Sequence, residues 1–206
     1  MLEYYSTLNI PAVPDHLVET EISKLKSFTP TQDTILSYRT FIPSFPIKLK
    51  DGTKDYSTVY NRIELDQVCI DWMIEHIPEL ANEQCEFGLQ FIDAITNTSG
   101  RFSPHTDGPR GAHVISYILD TGSDSDVTTH WWREHGRDSY RVPATLINNY
   151  QIVDELTSVA IPAKTWHWLD SSILHSVHNV KTRRIAITVG FSDKELIDLI
   201  LSKYKF

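Results

Sequence analysis

Three side chains in this sequence have the types and spacing to share one metal ion: His105, Asp107 and His175. The first two stand two apart in Ser103-Pro104-His105-Thr106-Asp107-Gly108. Residues i and i+2 of a strand face the same side, so both can point into one cavity. Spacing alone is weak evidence. Chance readily supplies such a pair, and a loop histidine beside a turn-capping aspartate is the plain alternative. His175 lies 70 residues on, in the apolar strand-like run Ile173-Leu174-His175-Ser176-Val177. Two imidazoles and one carboxylate on one face of an iron leave three positions open, which suit a chelating co-substrate and dioxygen.

A second chemical signal is the run Arg184-Ile185-Ala186-Ile187-Thr188-Val189-Gly190-Phe191. One face of this strand carries Ile185, Ile187, Val189 and Phe191, suited to packing under helices. The other carries Arg184, Ala186, Thr188 and Gly190, a cation followed by small residues that leave room. Arginine keeps its charge and matches a carboxylate with two parallel donors. If this face lines a cavity, Arg184 wants an anion there; a surface ion pair is the alternative. Arg183 faces the other way. Among the other histidines, His16 and His76 fall on helical patterns as surface or packing residues. His130 and His135 flank a loop rich in Trp and Arg. An extended chain sends His178 to the face opposite His175, and His167, between Trp166 and Trp168, is ambiguous.

These residues need a scaffold of strands. The chain has 206 residues, 41% hydrophobic and 22% charged, the balance of one globular domain that can bury a real core. Its net charge of -8 and lack of a basic run disfavour nucleic acid as a partner. Two cysteines, Cys69 and Cys85, form no disulfide framework and no thiolate zinc site. No signal peptide or membrane-length apolar run is present, so a reducing cytoplasm is the expected compartment. Residues 1–84 form a mixed support: a helix over Asp15–Phe28, a strand over Thr34–Ile42, and an amphipathic helix over Arg62–Ile77 stopped by Pro78. Residues 85–192 hold seven β-rich runs, at Cys85–Thr96, His113–Leu119, Val127–Trp132, Tyr150–Ile161, Thr165–Leu169, Ile173–Val177 and Ile185–Phe191. Turn-rich segments such as Asn97–Gly100 and Asp120–Asp124 separate them. A terminal helix, within 193–206, follows a Ser192 or Asp193 cap. Strands in succession with helices only outside them predict a mainly β fold, a jelly roll backed by helices. Trp131, Trp132, Trp166 and Trp168 are expected as core or rim packing more than as a substrate platform.

The ordered set His105-x-Asp107, Tyr117-Ile118-Leu119-Asp120, His175-x-Val177, Arg184 nine residues later, and Thr188 resembles the Fe(II)/2-oxoglutarate-dependent oxygenases, in particular their prolyl-hydroxylase-like branch. The resemblance spans Ser103–Phe191. It implies a double-stranded β-helix, cupin-like in architecture, and a dioxygenase that hydroxylates a C–H bond of a peptidyl or small-molecule substrate. His105, Asp107 and His175 would bind Fe(II). Arg184 would hold the distal carboxylate of 2-oxoglutarate, with Tyr117 donating to the same carboxylate and Thr188 assisting. Alternation from Tyr117 aims His113 inward as well. The segment Thr121–Trp132 departs from the family pattern, loosely resembling a small phage and bacterial subset, so the substrate is not inherited. Gly190 stands where nucleic-acid demethylases carry a further arginine. Two rivals remain at this level: a non-catalytic β-sandwich binding a metal or anion, and a cupin-like enzyme with no need of Arg184.

Overall fold

The structure, a computed structural model, describes residues 4–26, 47–48, 54–55, 60–82, 84–92, 104–107, 112–123, 126–135 and 152–206. Among the described residues, ten strands follow the first helix. The elements are β1 (Tyr5–Leu8), α1 (Asp15–Lys26), β2 (Ile47–Lys48), β3 (Lys54–Asp55), β4 (Tyr60–Ile63), α2 (Gln67–His76), a single 3-10 turn (Pro78–Leu80), β5 (Glu86–Ile92), β6 (His113–Asp120), β7 (Thr128–Glu134), β8 (Val153–Val159), β9 (Trp166–Asp170), β10 (His175–His178), β11 (Arg184–Phe191) and α3 (Lys194–Tyr204). The expected strand at Thr34–Ile42 and the turn at Asn97–Gly100 lie outside the described residues.

Two antiparallel sheets form the body. The larger runs β1-β9-β6-β11-β5-β4 and the smaller β10-β7-β8, while β2 and β3 pair with each other. From β5 onward the chain passes back and forth between the sheets. β6, β9 and β11 go to the larger sheet, β7, β8 and β10 to the smaller, and His105 bridges to His175 at the start of β10. This is the strand order of a jelly roll, in which sheet-switching strands leave a space between two facing sheets. The fold is mainly β with two antiparallel sheets and flanking helices, as the succession of strands predicts.

The helices cover one face of the larger sheet. Leu89 and Phe91 of β5, Ile115 and Tyr117 of β6, Trp166 and Trp168 of β9, and Ile185, Ile187, Val189 and Phe191 of β11 pack there. Against them lie Leu17 and Leu25 of α1, Cys69 and Met73 of α2, and Leu196, Ile197 and Ile200 of α3. Leu17, Glu21 and Leu25 recur every four residues, so Glu21 enters the apolar stripe of α1. Its carboxylate is satisfied there: it accepts from the Asp66 backbone N–H at 2.9 Å and from Lys24 Nζ at 2.8 Å. Asp193 caps α3, accepting from the N–H groups of Glu195 and Leu196.

The helix expected over Arg62–Ile77 starts later, at Gln67. Residues 60–63 pair with β5 instead, and Ile63 and Leu65 are buried on either side of exposed Glu64. Apolar residues two apart share a face of a strand but not of a helix, and pairing with β5 claims residues 60–63 here. No helix among the described residues is long and apolar enough to cross a membrane.

Candidate metal centre and its cleft

His105 and His175 face each other as a hydrogen-bonded antiparallel pair. The His105 N–H donates to the His175 carbonyl at 2.9 Å, and the His175 N–H to the His105 carbonyl at 2.8 Å. Residues opposite each other in such a pair send their side chains to the same side. Their ring centroids stand 4.5 Å apart. Asp107, two residues on, is fixed by its own N–H donating to the Ser171 carbonyl at 3.2 Å, just after β9.

Asp107 Oδ1 lies 3.6 Å from His105 Nε2 and 3.7 Å from His175 Nε2. Those separations are too long for hydrogen bonds. They suit a shared ion, because two atoms each about 2.1 Å from one metal can be at most about 4.2 Å apart. The three ligand atoms all lie within 4.8 Å of one another, so closing by at most about 0.6 Å brings every pair within that reach. The His175 ring is oriented from behind: Nδ1 is 3.0 Å from the Ile173 carbonyl. A carbonyl only accepts, so Nδ1 carries the proton and Nε2 is left as the metal-facing lone pair. The donor set and its spacing therefore fit a divalent iron.

The three residues open onto a cleft between the sheets that is continuous with solvent. Gln90, Ile92, Val114, Ser116, Leu169 and Arg184 of the larger sheet line it, with Thr129 and Val177 of the smaller and Ser171 beyond β9. Arg184 is the one permanent cation among the described lining residues. Its strand behaves as the alternation predicts, with Ile185, Ile187, Val189 and Phe191 under the helices. Arg183 takes the helix side, its guanidinium 4.9 Å from the centre of the Phe91 ring.

The start of β11 is held by a glycine. Gly122, at φ +80°, offers its carbonyl to the N–H groups of Lys181 and Thr182, both at 2.8 Å. A Cβ at this position would stand 2.8 Å from Val180 Cγ1 and 3.0 Å from the Arg184 backbone nitrogen. Only glycine accepts both that φ and that approach, so Gly122 helps set where Arg184 begins.

Tyr117 needs correcting. Ser116 and Val114 line the cleft, so Tyr117, one residue off, lies on the opposite face. It packs in the helix-side core, its ring 5.0 Å from that of Trp166. Burial pushes its phenol upward, against a backbone hydrogen bond at Val13, before α1. It cannot donate to an anion held by Arg184. His113 shares the error: its ring lies 6.1 Å from both Trp168 and Phe191, on the helix side. Thr188 does face the inter-sheet space, opposite Ser116, but its hydroxyl donates to the Gly88 carbonyl at 3.2 Å.

The hydroxyl that the sequence reading missed is Thr129. It is buried, lines the cleft opposite Arg184's sheet, and its Oγ1 has no partner among the described residues. Nothing in Thr128-Thr129-His130-Trp131-Trp132 marks it beforehand. His130 and His178 stay away from the metal ligands, stacked with centroids 3.8 Å apart. All four tryptophans expected to pack are buried. The thiols of Cys69 and Cys85 are pushed up by burial to about 12 and about 11, which leaves them unreactive.

No protein-family model matches the chain, and no curated protein matches it in sequence. Among solved structures, the epimerase SnoN in complex with Fe3+, alpha ketoglutarate and nogalamycin RO is similar. The identity is 13% and the TM-score 0.44, over 93% of this chain and 79% of that one. An oxidoreductase of the 2OG-Fe(II) oxygenase family from Burkholderia pseudomallei shows 12% identity and a TM-score of 0.40, over 84% of this chain and 79% of that one. Both likenesses are too weak to carry a function across, so the site stands on its own side chains.

Proposed function

We propose that the protein is an Fe(II)- and 2-oxoglutarate-dependent dioxygenase that hydroxylates a C–H bond of a peptidyl or small-molecule substrate. The observation that carries this reading is one cleft holding both a two-histidine, one-carboxylate donor set and a buried arginine. Such a donor set leaves ligand positions open, and the arginine supplies a site for a carboxylate some distance from them. A metal site that used no diacid would have no need of Arg184.

Each residue has a defined task. His105, Asp107 and His175 would hold the ion. Arg184 pairs with the distal carboxylate of the diacid and so sets the direction in which its 2-oxo acid end points. Thr129 Oγ1 is a neutral donor with no competing partner among the described residues, and Ser116 lies on the opposite wall. Ile92, Val114, Leu169 and Val177 make the intervening walls apolar. They keep bulk water off the pair, and the lowered dielectric strengthens the arginine–carboxylate interaction. Iron bound here would supply the oxidising power. One dioxygen and one 2-oxoglutarate would be consumed for each hydroxyl group, succinate and carbon dioxide formed.

The test is release of carbon dioxide from carboxyl-labelled 2-oxoglutarate, in the presence and absence of Fe(II) and dioxygen. Turnover should need both, and His105→Ala should abolish it. Turnover that His105→Ala leaves intact would contradict the reading.

A further inference from the structure

His167 is fully buried in the larger sheet, between two tryptophans that point the other way. In the sheet register Thr7, His167, Ser116 and Thr188 stand side by side, and Ser116 lines the cleft. His167 therefore lies on the cleft side. β9 also measures its depth. Ser171, just past the strand, accepts the Asp107 N–H, and Leu169 lines the cleft. His167 follows four residues back from Ser171, roughly 13 Å along an extended chain. That places it beneath the end of the cleft away from the metal ligands. Arg184 is close enough for its charge to oppose protonation of this ring.

The ring's hydrogen-bonding state follows from its neighbours. Nδ1 is 3.2 Å from the Thr165 carbonyl, which can only accept, so Nδ1 carries the proton. Burial, with Arg184 adding to it, lowers the imidazole to about 3, so the ring stays neutral. Nε2 is then a bare acceptor, and it has no partner among the described residues. A buried acceptor left unpaired is costly, and such groups in native proteins usually meet a water or a ligand. A carboxylate brings only lone pairs, so it cannot meet Nε2 directly. A water can serve both, with one hydrogen to each.

We infer that His167 is a positioning residue for the diacid: its Nε2 accepts a hydrogen bond from a water whose other hydrogen goes to the carboxylate held by Arg184. This role rests on the proposed function. It makes the far end of the cleft selective for a 2-oxo acid with a second carboxylate, and a 2-oxo acid without one gains nothing from it.

The experiment loads the protein with Zn(II) as a redox-silent probe and measures calorimetric affinity for 2-oxoglutarate and for pyruvate. His167→Leu should weaken 2-oxoglutarate about tenfold, the scale of one hydrogen bond to a charged group. Pyruvate and Zn(II) affinities should not change, and His167→Gln, which keeps an acceptor, should recover most of the loss. Equal weakening of both acids, or equal loss in the Leu and Gln variants, would mark a structural role and overturn the inference. Nitrogen NMR of the unaltered protein needs no variant. The Nε2 resonance should shift with 2-oxoglutarate and stay in place with pyruvate, and no shift with either overturns the inference. No binding of 2-oxoglutarate to the unaltered protein overturns the proposed function itself. Binding that is unaltered in His167→Leu overturns this role alone.

Discussion

The two faces of the larger sheet are built from the same strands and have opposite tasks. On the helix side β11 presents Ile185, Ile187, Val189 and Phe191, met by Tyr117, Trp166 and the apolar stripes of three helices. On the cleft side the same strands present Arg184, Ser116, Gln90 and His167, polar groups that an apolar core would leave unsatisfied. A step of one residue moves a side chain from one world to the other. Ser116 and Tyr117 are neighbours in sequence, as are Arg184 and Arg183, yet one of each pair serves the cleft and the other the core. The sheet thus separates stability from chemistry, and substitutions on its two faces should have separable effects.

The largest expected effect lies on the helix side. Ile187→Ala removes a fully buried side chain and should cost about 2–5 kcal/mol in denaturant unfolding. Ser116→Ala, on the other face of the adjacent strand, should cost well under about 1.5 kcal/mol. Equal losses would show that the faces are not divided in this way. Next comes the arginine pair. Arg184→Ala should raise the 2-oxoglutarate requirement about a hundredfold, as expected for truncating one partner of a buried charged pair. Arg183→Ala should leave that requirement unchanged and only lower stability, through its lost contact with Phe91.

A smaller effect is pH-dependent. His167 titrates at about 3 when folded and near 6.5 when unfolded. Between those values the unfolded chain binds the extra proton, so this residue's contribution to stability is full above about 6.5 and declines as pH falls toward 3. His167→Gln should flatten the pH dependence of stability over that window, and an unaltered slope would mean the ring is not neutral and buried. The smallest effect is Tyr117→Phe. Stability should drop by about 1 kcal/mol, for the lost hydrogen bond at Val13, while affinity for 2-oxoglutarate stays within about twofold. A large affinity loss there would return Tyr117 to the cleft.

Which parts were legible beforehand follows the same parity. β11 alternates plainly between apolar and small or charged residues, so its two faces and the choice of Arg184 over Arg183 could be read directly. His105 and Asp107 gain meaning from being two apart, and His175 from its strand-like neighbours, although the pairing of His105 with His175 is a tertiary fact. β6 reads His113-Val114-Ile115-Ser116-Tyr117-Ile118-Leu119-Asp120, with apolar residues on both faces. A strand buried on both faces carries no alternation to show which way a tyrosine points. The family resemblance then suggested the wrong side. A break in the register between β11 and β6 at Ile185/Ala186 adds to the difficulty, since a register shift is invisible in sequence. Thr129 and His167 were hidden for a related reason. Their importance lies in an unpaired atom facing the space between the sheets, which no spacing rule announces.

The most direct test of the central claim is an anaerobic titration of the unaltered protein with Fe(II) and then 2-oxoglutarate, followed by visible absorption. A charge-transfer band should grow to one equivalent of each. It should be lost in Asp107→Ala, and in Arg184→Ala it should require far more 2-oxoglutarate. No band at saturating Fe(II) and 2-oxoglutarate, or a band indifferent to both substitutions, would contradict the account.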